Sequence, residues 1–125
     1  MQLEVSNPKL GKILSDPDKL IKKVGIEMSR MIKRRFNEMK SSPNFKAYVS
    51  YGIGKPHPLT GNLDKLYGIY LNKNYRLIVE PLIENLDFSF LEKCKIVDIK
   101  GVVDYHDGKI EWLIPWINSS SWGND

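Results

Sequence analysis

Two histidines, His57 and His106, are the only imidazoles of the chain. Each stands where a side chain can meet a ligand. His57 lies between Pro56 and Pro58, which restrict the backbone, and few neighbours in sequence are apolar enough to bury its ring. His106 ends the run Val102-Val103-Asp104-Tyr105-His106, where a strand-like segment gives out. Lys55, Lys65, Lys73 and Arg76 supply positive charge around them. Two imidazoles, a carboxylate, a phenol and several cations make a kit for cleaving RNA without a metal or an organic cofactor. RNA carries its own nucleophile, the 2′-OH. The protein then has to supply a base, an acid for the leaving 5′-oxygen and positive charge for the phosphorane. An imidazole with a pKa of about 6.5 serves either proton-transfer role near neutral pH. Taken singly, the same residues also fit ordinary positions: solvated histidines, an Arg76 paired with Glu80, and Tyr67, Tyr70 and Tyr75 packed on a sheet.

The elements that must position these groups follow from composition and pattern. The 125 residues are 42% hydrophobic and 27% charged, the balance of one folded domain. A single cysteine, Cys94, excludes an internal disulfide and a cysteine-based zinc site, and it is expected to pack at the start of the third strand of the sheet run. No apolar run approaches the roughly 20 residues that span a bilayer, and the N-terminus lacks signal-peptide character, so a cytoplasmic protein is expected.

Residues 2–6 alternate as a short strand. Asp16-Pro17 is a helix start, and Leu20, Val24, Met28, Met31, Ile32 and Met39 then mark one helical face to about Lys40, with Gly25 set to kink or split it. Lys22, Lys23, Arg30, Lys33, Arg34 and Arg35 fall between them as an exposed basic face. Ser42-Pro43 opens a further short helix, and the Gly- and Pro-rich stretch 52–61 carries no regular element. Strands are expected over 66–71, 75–81, 96–105 and 109–114. Asn72-Lys73-Asn74 joins the first pair through the positive φ that asparagine tolerates, and Asp107-Gly108 joins the last. Strand, helices, then strands describe an α+β domain with its helices on one face of a mainly antiparallel sheet.

Charge is divided along the chain. Residues 1–76 hold fifteen Lys/Arg against six Asp/Glu, and residues 77–125 hold four against nine. A basic face built by the first part suits a polyanionic partner, or is simply a solvated helix surface.

Four short motifs occur in order. They are Lys55-Pro56-His57-Pro58-Leu59-Thr60-Gly61-Asn62, Leu66-Tyr67-Gly68-Ile69-Tyr70-Leu71, Asn74-Tyr75-Arg76-Leu77-Ile78-Val79-Glu80 and the terminal Asp104-Tyr105-His106. Together with the helical stretch from Asp18 to Glu38, they resemble the HigB branch of the RelE/ParE toxin superfamily, over roughly residues 8–108. The resemblance implies a small RelE-like domain over residues 1–108. Residues 109–125 would be a C-terminal extension, holding all three tryptophans, with an edge strand and a tail.

The resemblance also implies an activity: a ribosome-dependent endoribonuclease that cuts mRNA in the A site, the toxin of a type II toxin–antitoxin pair. A HigA-like antitoxin would neutralise it, in a complex that also binds operator DNA. Carried over by position, His57, Arg76, Asp104, Tyr105 and His106 are the catalytic set, with His106 as acid or base, Asp104 orienting it or sharing the proton transfer, His57 and Tyr105 positioning the nucleotide and Arg76 holding the scissile phosphate. Lys55, Lys65 and Lys73, with Arg30 and Arg34 of the helix face, are the candidates for RNA binding. The pattern departs from the family at Thr60, where a lysine is frequent, and at Asn72, where a basic residue is common beside the turn. A rival of another class is a binding protein of the same fold without nuclease activity, such as a ParE-like gyrase inhibitor or a degenerate toxin.

Overall fold

A computed structural model describes residues 1–106 and 109–115. Helix starts follow local capping chemistry. Asn7 Oδ1 accepts from the Leu10 N–H ahead of α1 (Pro8–Leu14), and the Asp16 carboxylate accepts from Asp18 and Lys19 N–H ahead of α2 (Pro17–Val24). Gly25, at φ 87°, ends α2, and α3 (Ile26–Lys40) begins immediately after it, so the long helical pattern is two helices. For α4 (Phe45–Tyr51) the cap is Asn44, which accepts from Ala47 N–H, rather than the Ser42-Pro43 pair.

The sheet is built around the long β5 (Ile96–His106). On one side β4 (Tyr75–Pro81), β3 (Tyr67–Tyr70) and β2 (His57–Pro58) follow in antiparallel order. On the other side β1 (Gln2–Glu4) runs parallel to the first residues of β5, and β6 (Lys109–Ile114) runs antiparallel to its last ones. Domain and extension therefore share one sheet, and Ile114 at the end of β6 is fully buried in the main core. Trp116, Trp122 and the expected Asp107-Gly108 turn lie outside the described residues.

That core lies between the helices and one sheet face, where Leu10, Leu20, Ile32 and Phe45 meet Ile69, Leu77, Val79 and Ile99. A second, smaller cluster covers the opposite face: Leu59, Ile78 and Val103, with Leu63, Leu66 and the half-buried Trp112 packed on them. Cys94 is a buried free thiol closing the 3₁₀ turn Phe88–Lys93, and burial raises its pKa. Among the described residues no helix is long and apolar enough to cross a membrane.

Four expectations need correction. The loop after Gly52 does contain a strand, because His57 and Pro58 pair with Gly68 and Tyr67. The first strand stops at Glu4, two residues short of Ser6. The Asn72-Lys73-Asn74 turn uses no positive φ, since Asn72 Oδ1 accepts from both Asn74 and Tyr75 N–H and closes the turn through its side chain. Arg35 is not on the exposed basic face but 8% exposed, its Nε–H donating to Tyr70 O and its Nη1 to Glu38.

Across the β1 end of the sheet, Asp98 is 3% exposed and accepts from the Ser6 N–H, the Ser6 hydroxyl and the Lys100 ammonium. Burial alone would raise its pKa, but these three donors outweigh that and hold it below the ordinary 3.8. A carboxylate depressed on folding contributes stability that is present above its ordinary value and lost as pH falls through the depressed one. Ser6→Ala is expected to cost about 1–2 kcal/mol at neutral pH. The difference from wild type should shrink on acidification through the carboxylate range, as urea midpoints measured along a pH series would show.

Candidate functional site

The phase of β5 decides which candidates meet. Val97 and Ile99 face the helices, and strict alternation would send residues 101, 103 and 105 the same way. A bulge intervenes: Val79 pairs with Ile99 but Ile78 pairs with Gly101, leaving Lys100 extra. Beyond it Val102 joins the main core and Val103 the second cluster, so the phase is inverted.

Tyr105 therefore shares the open face with Arg76, which pairs with Val103 on one side and Tyr70 on the other. The Arg76 guanidinium lies between two rings, 4.9 Å from the Tyr70 centroid and 5.8 Å from that of Tyr105. Its Nη1 donates to Asn72 O and Tyr75 O, so it does not pair with Glu80, which instead binds Lys100.

His57 stands on the same face. Its Nδ1 is 3.0 Å from Lys55 O, and since a carbonyl can only accept, Nδ1 carries the proton and Nε2 is the basic nitrogen. The ring sits against Gly68, where a Cβ would lie 3.3 Å from Nε2 and 3.2 Å from Cε1. Lys55 and Lys65, at φ 47° and 73°, are the two described non-glycine residues in the left-handed region, one on each side of the His57 segment. His57, Thr60 and Tyr105 line a cavity of about 230 Å³ floored by Leu59 and Leu63.

Asp104 and His106 do not join this group. Asp104 pairs with Tyr75, whose ring packs on the helix-side core, and His106 lies two residues further along the same face. Asp104 Oδ1 accepts from His106 Nδ1 at 3.1 Å. The five expected catalytic residues thus form two groups on opposite faces at one end of the sheet. Lys73 is exposed on the turn beside Arg76, and Lys65 precedes β3. Arg30 and Arg34 lie elsewhere, on a groove beside α3.

Two residues escaped sequence reasoning. Tyr70, expected to pack structurally, is the ring beneath Arg76, with Lys55 Nζ 6.0 Å from it. Gly68 gives the His57 ring its room, and a glycine inside a strand pattern was the available signal. Among the described residues no group of three His, Cys, Asp or Glu side chains is placed to hold a metal ion. No protein-family model, curated protein or solved structure matches the chain.

Proposed function

We propose that this chain is a RelE/HigB-type toxin, a ribosome-dependent endoribonuclease that inhibits translation by cleaving mRNA in the A site and is neutralised by a HigA-like antitoxin in an operator-binding complex. The observation that carries this reading is the meeting of His57, Arg76 and Tyr105 on one exposed face. The chemistry needs three roles, and that face offers one group for each. His57 Nε2 takes the proton of the 2′-OH, whose oxygen attacks phosphorus. The bond to the 5′-oxygen breaks, and that oxygen leaves with a proton from the Tyr105 hydroxyl. A 2′,3′-cyclic phosphate and a 5′-OH remain. Arg76, with Nε and Nη2 donors beyond the Nη1 held by the backbone, neutralises the phosphorane. His106, held by Asp104 on the other face, contacts RNA at the strand end rather than transferring a proton.

A second reading has one observation in its favour. The distance between faces separates Asp104–His106 from His57, as in a binding protein that has no use for a catalytic set. It predicts gyrase inhibition or no effect on translation. Added to a purified translation system, the wild-type chain is expected to stop reporter synthesis, and His57→Ala to leave it running. Unimpaired synthesis with wild type, or arrest of DNA supercoiling by gyrase instead, would replace the nuclease reading with the second one.

A further inference from the structure

A groove of about 600 Å³ runs between α3 and α4, away from the cavity at His57. Arg30, Lys33 and Arg34 form one wall, and Tyr48, Tyr51 and Ile53 the other. Tyr51 is 61% exposed and Ile53 45%, large apolar surfaces left in water beside three cations. Glu38 is the carboxylate lining the groove, and it is already held at 2.7 Å by the buried Arg35 and at 3.5 Å by Arg34. Among the described residues Arg30 and Lys33 have no carboxylate within salt-bridge distance.

One backbone segment links the groove to the site, around the edge of the sheet. Ile53 lines it, Gly54 O accepts from Tyr70 N–H at 2.7 Å, and Lys55 reaches the Tyr70 ring on which Arg76 lies. From Met39 to Leu63 the sequence contains no Asp or Glu. The segment joining the groove to the His57 loop therefore contributes no acidic side chain.

We infer that this groove is a second single-stranded RNA subsite, which holds nucleotides flanking the scissile bond and stacks a base on Tyr51. The inference rests on the nuclease reading for the bond's location, while the binding it describes is measured separately. Unpaired cations at one wall, an exposed ring at the other and the link through Gly54 and Lys55 to the Tyr70 ring under Arg76 match a phosphate backbone with unstacked bases. An acidic protein segment would match the cations but makes no use of the link to Lys55 and Arg76.

The test uses the whole wild-type chain and 2′-O-methyl oligouridine, which lacks the nucleophile and is not cut. Fluorescence anisotropy would compare oligomers of about 4 and about 12 nucleotides. The longer one is expected to bind at least about tenfold more tightly, since only it reaches both sites. Arg30→Glu with Lys33→Glu should weaken the longer oligomer by about tenfold or more and flatten its log–log salt slope by about 1.4, two phosphate contacts at about 0.7 each. Tyr51→Ala, which removes an exposed ring and leaves the fold intact, should weaken it about tenfold. Neither variant should change binding of the short oligomer, whereas Arg76→Ala should weaken both.

Equal binding of the two lengths, or groove variants that bind like wild type, would overturn the subsite. So would loss of binding to a Glu/Leu amphipathic peptide in those variants with oligouridine unaffected, which would assign the groove to a protein partner. Translation arrest is scored on the same preparations. Groove-dependent RNA binding without arrest would keep the subsite and remove the nuclease, so the two failures are distinguishable.

Discussion

Alanine in place of His57 is expected to slow mRNA cleavage by about 10²- to 10⁴-fold, the range for losing a positioned proton-transfer group. The same change at His106 is expected to cost about tenfold or less, equivalent to one contact of ~1.4 kcal/mol. The asymmetry follows from the faces of the sheet. His57 shares its cavity with Tyr105, and Arg76 lies against the Tyr105 ring. His106 shares the other face with Asp104 and Tyr75. The His57 ring is exposed and its hydrogen bond among the described residues runs to the Lys55 carbonyl two residues away, so the substitution should leave the melting temperature near wild type. Single-turnover cleavage on programmed ribosomes gives both ratios. A larger loss at His106 than at His57 would move proton transfer to the helix-side pair.

The second large effect concerns the strand that sets this division. Gly101 stands at φ 149° in the β5 bulge, and a Cβ there would lie 2.0 Å from Ile114 O, 2.9 Å from its carbonyl carbon and 2.7 Å from Pro115 Cδ. None of these atoms belongs to a flexible side chain, so β5 and β6 would have to part. Gly101→Ala is expected to destabilise the chain by about 3 kcal/mol or more. Gly61, at φ 65° with nothing within 4 Å of an added Cβ, is the comparison, expected to cost about 1 kcal/mol for its backbone conformation. Equilibrium urea unfolding of both variants checks the contrast, and similar costs would mean that the bulge yields easily. Because the bulge inverts the phase of β5, Gly101→Ala is also expected to abolish cleavage.

That bulge is where the sequence was least legible. Periodicity located the limits of β4 and β6, and capping chemistry located the start of α2 at Asp16-Pro17, because those signals are local. The alternation through residues 96–105 reads as one uninterrupted strand and gives no face for Tyr105 or His106 once a residue is inserted. Lys100-Gly101 was the available hint, since glycine inside a strand marks a bulge or a close approach. The two-residue β2 was hidden by Pro58 within it and Pro56 before it, and two residues are too short a run to show a period. Arg35 looked like the arginine beside it, yet its neighbours Tyr70 and Gly54 are distant in sequence, and only the fold brings a carbonyl to its Nε. The residue types of the site were legible, but their grouping depended on register.

The most direct test maps 5′ ends on a defined mRNA in a purified translation system, with and without ribosomes, for wild type, His57→Ala and Arg76→Ala. Discrete cuts at A-site codons, present only with ribosomes and lost in both variants, are the predicted result. Intact mRNA with wild-type protein in excess, or cuts that persist in both variants, would contradict the assignment of this face as a ribonuclease site.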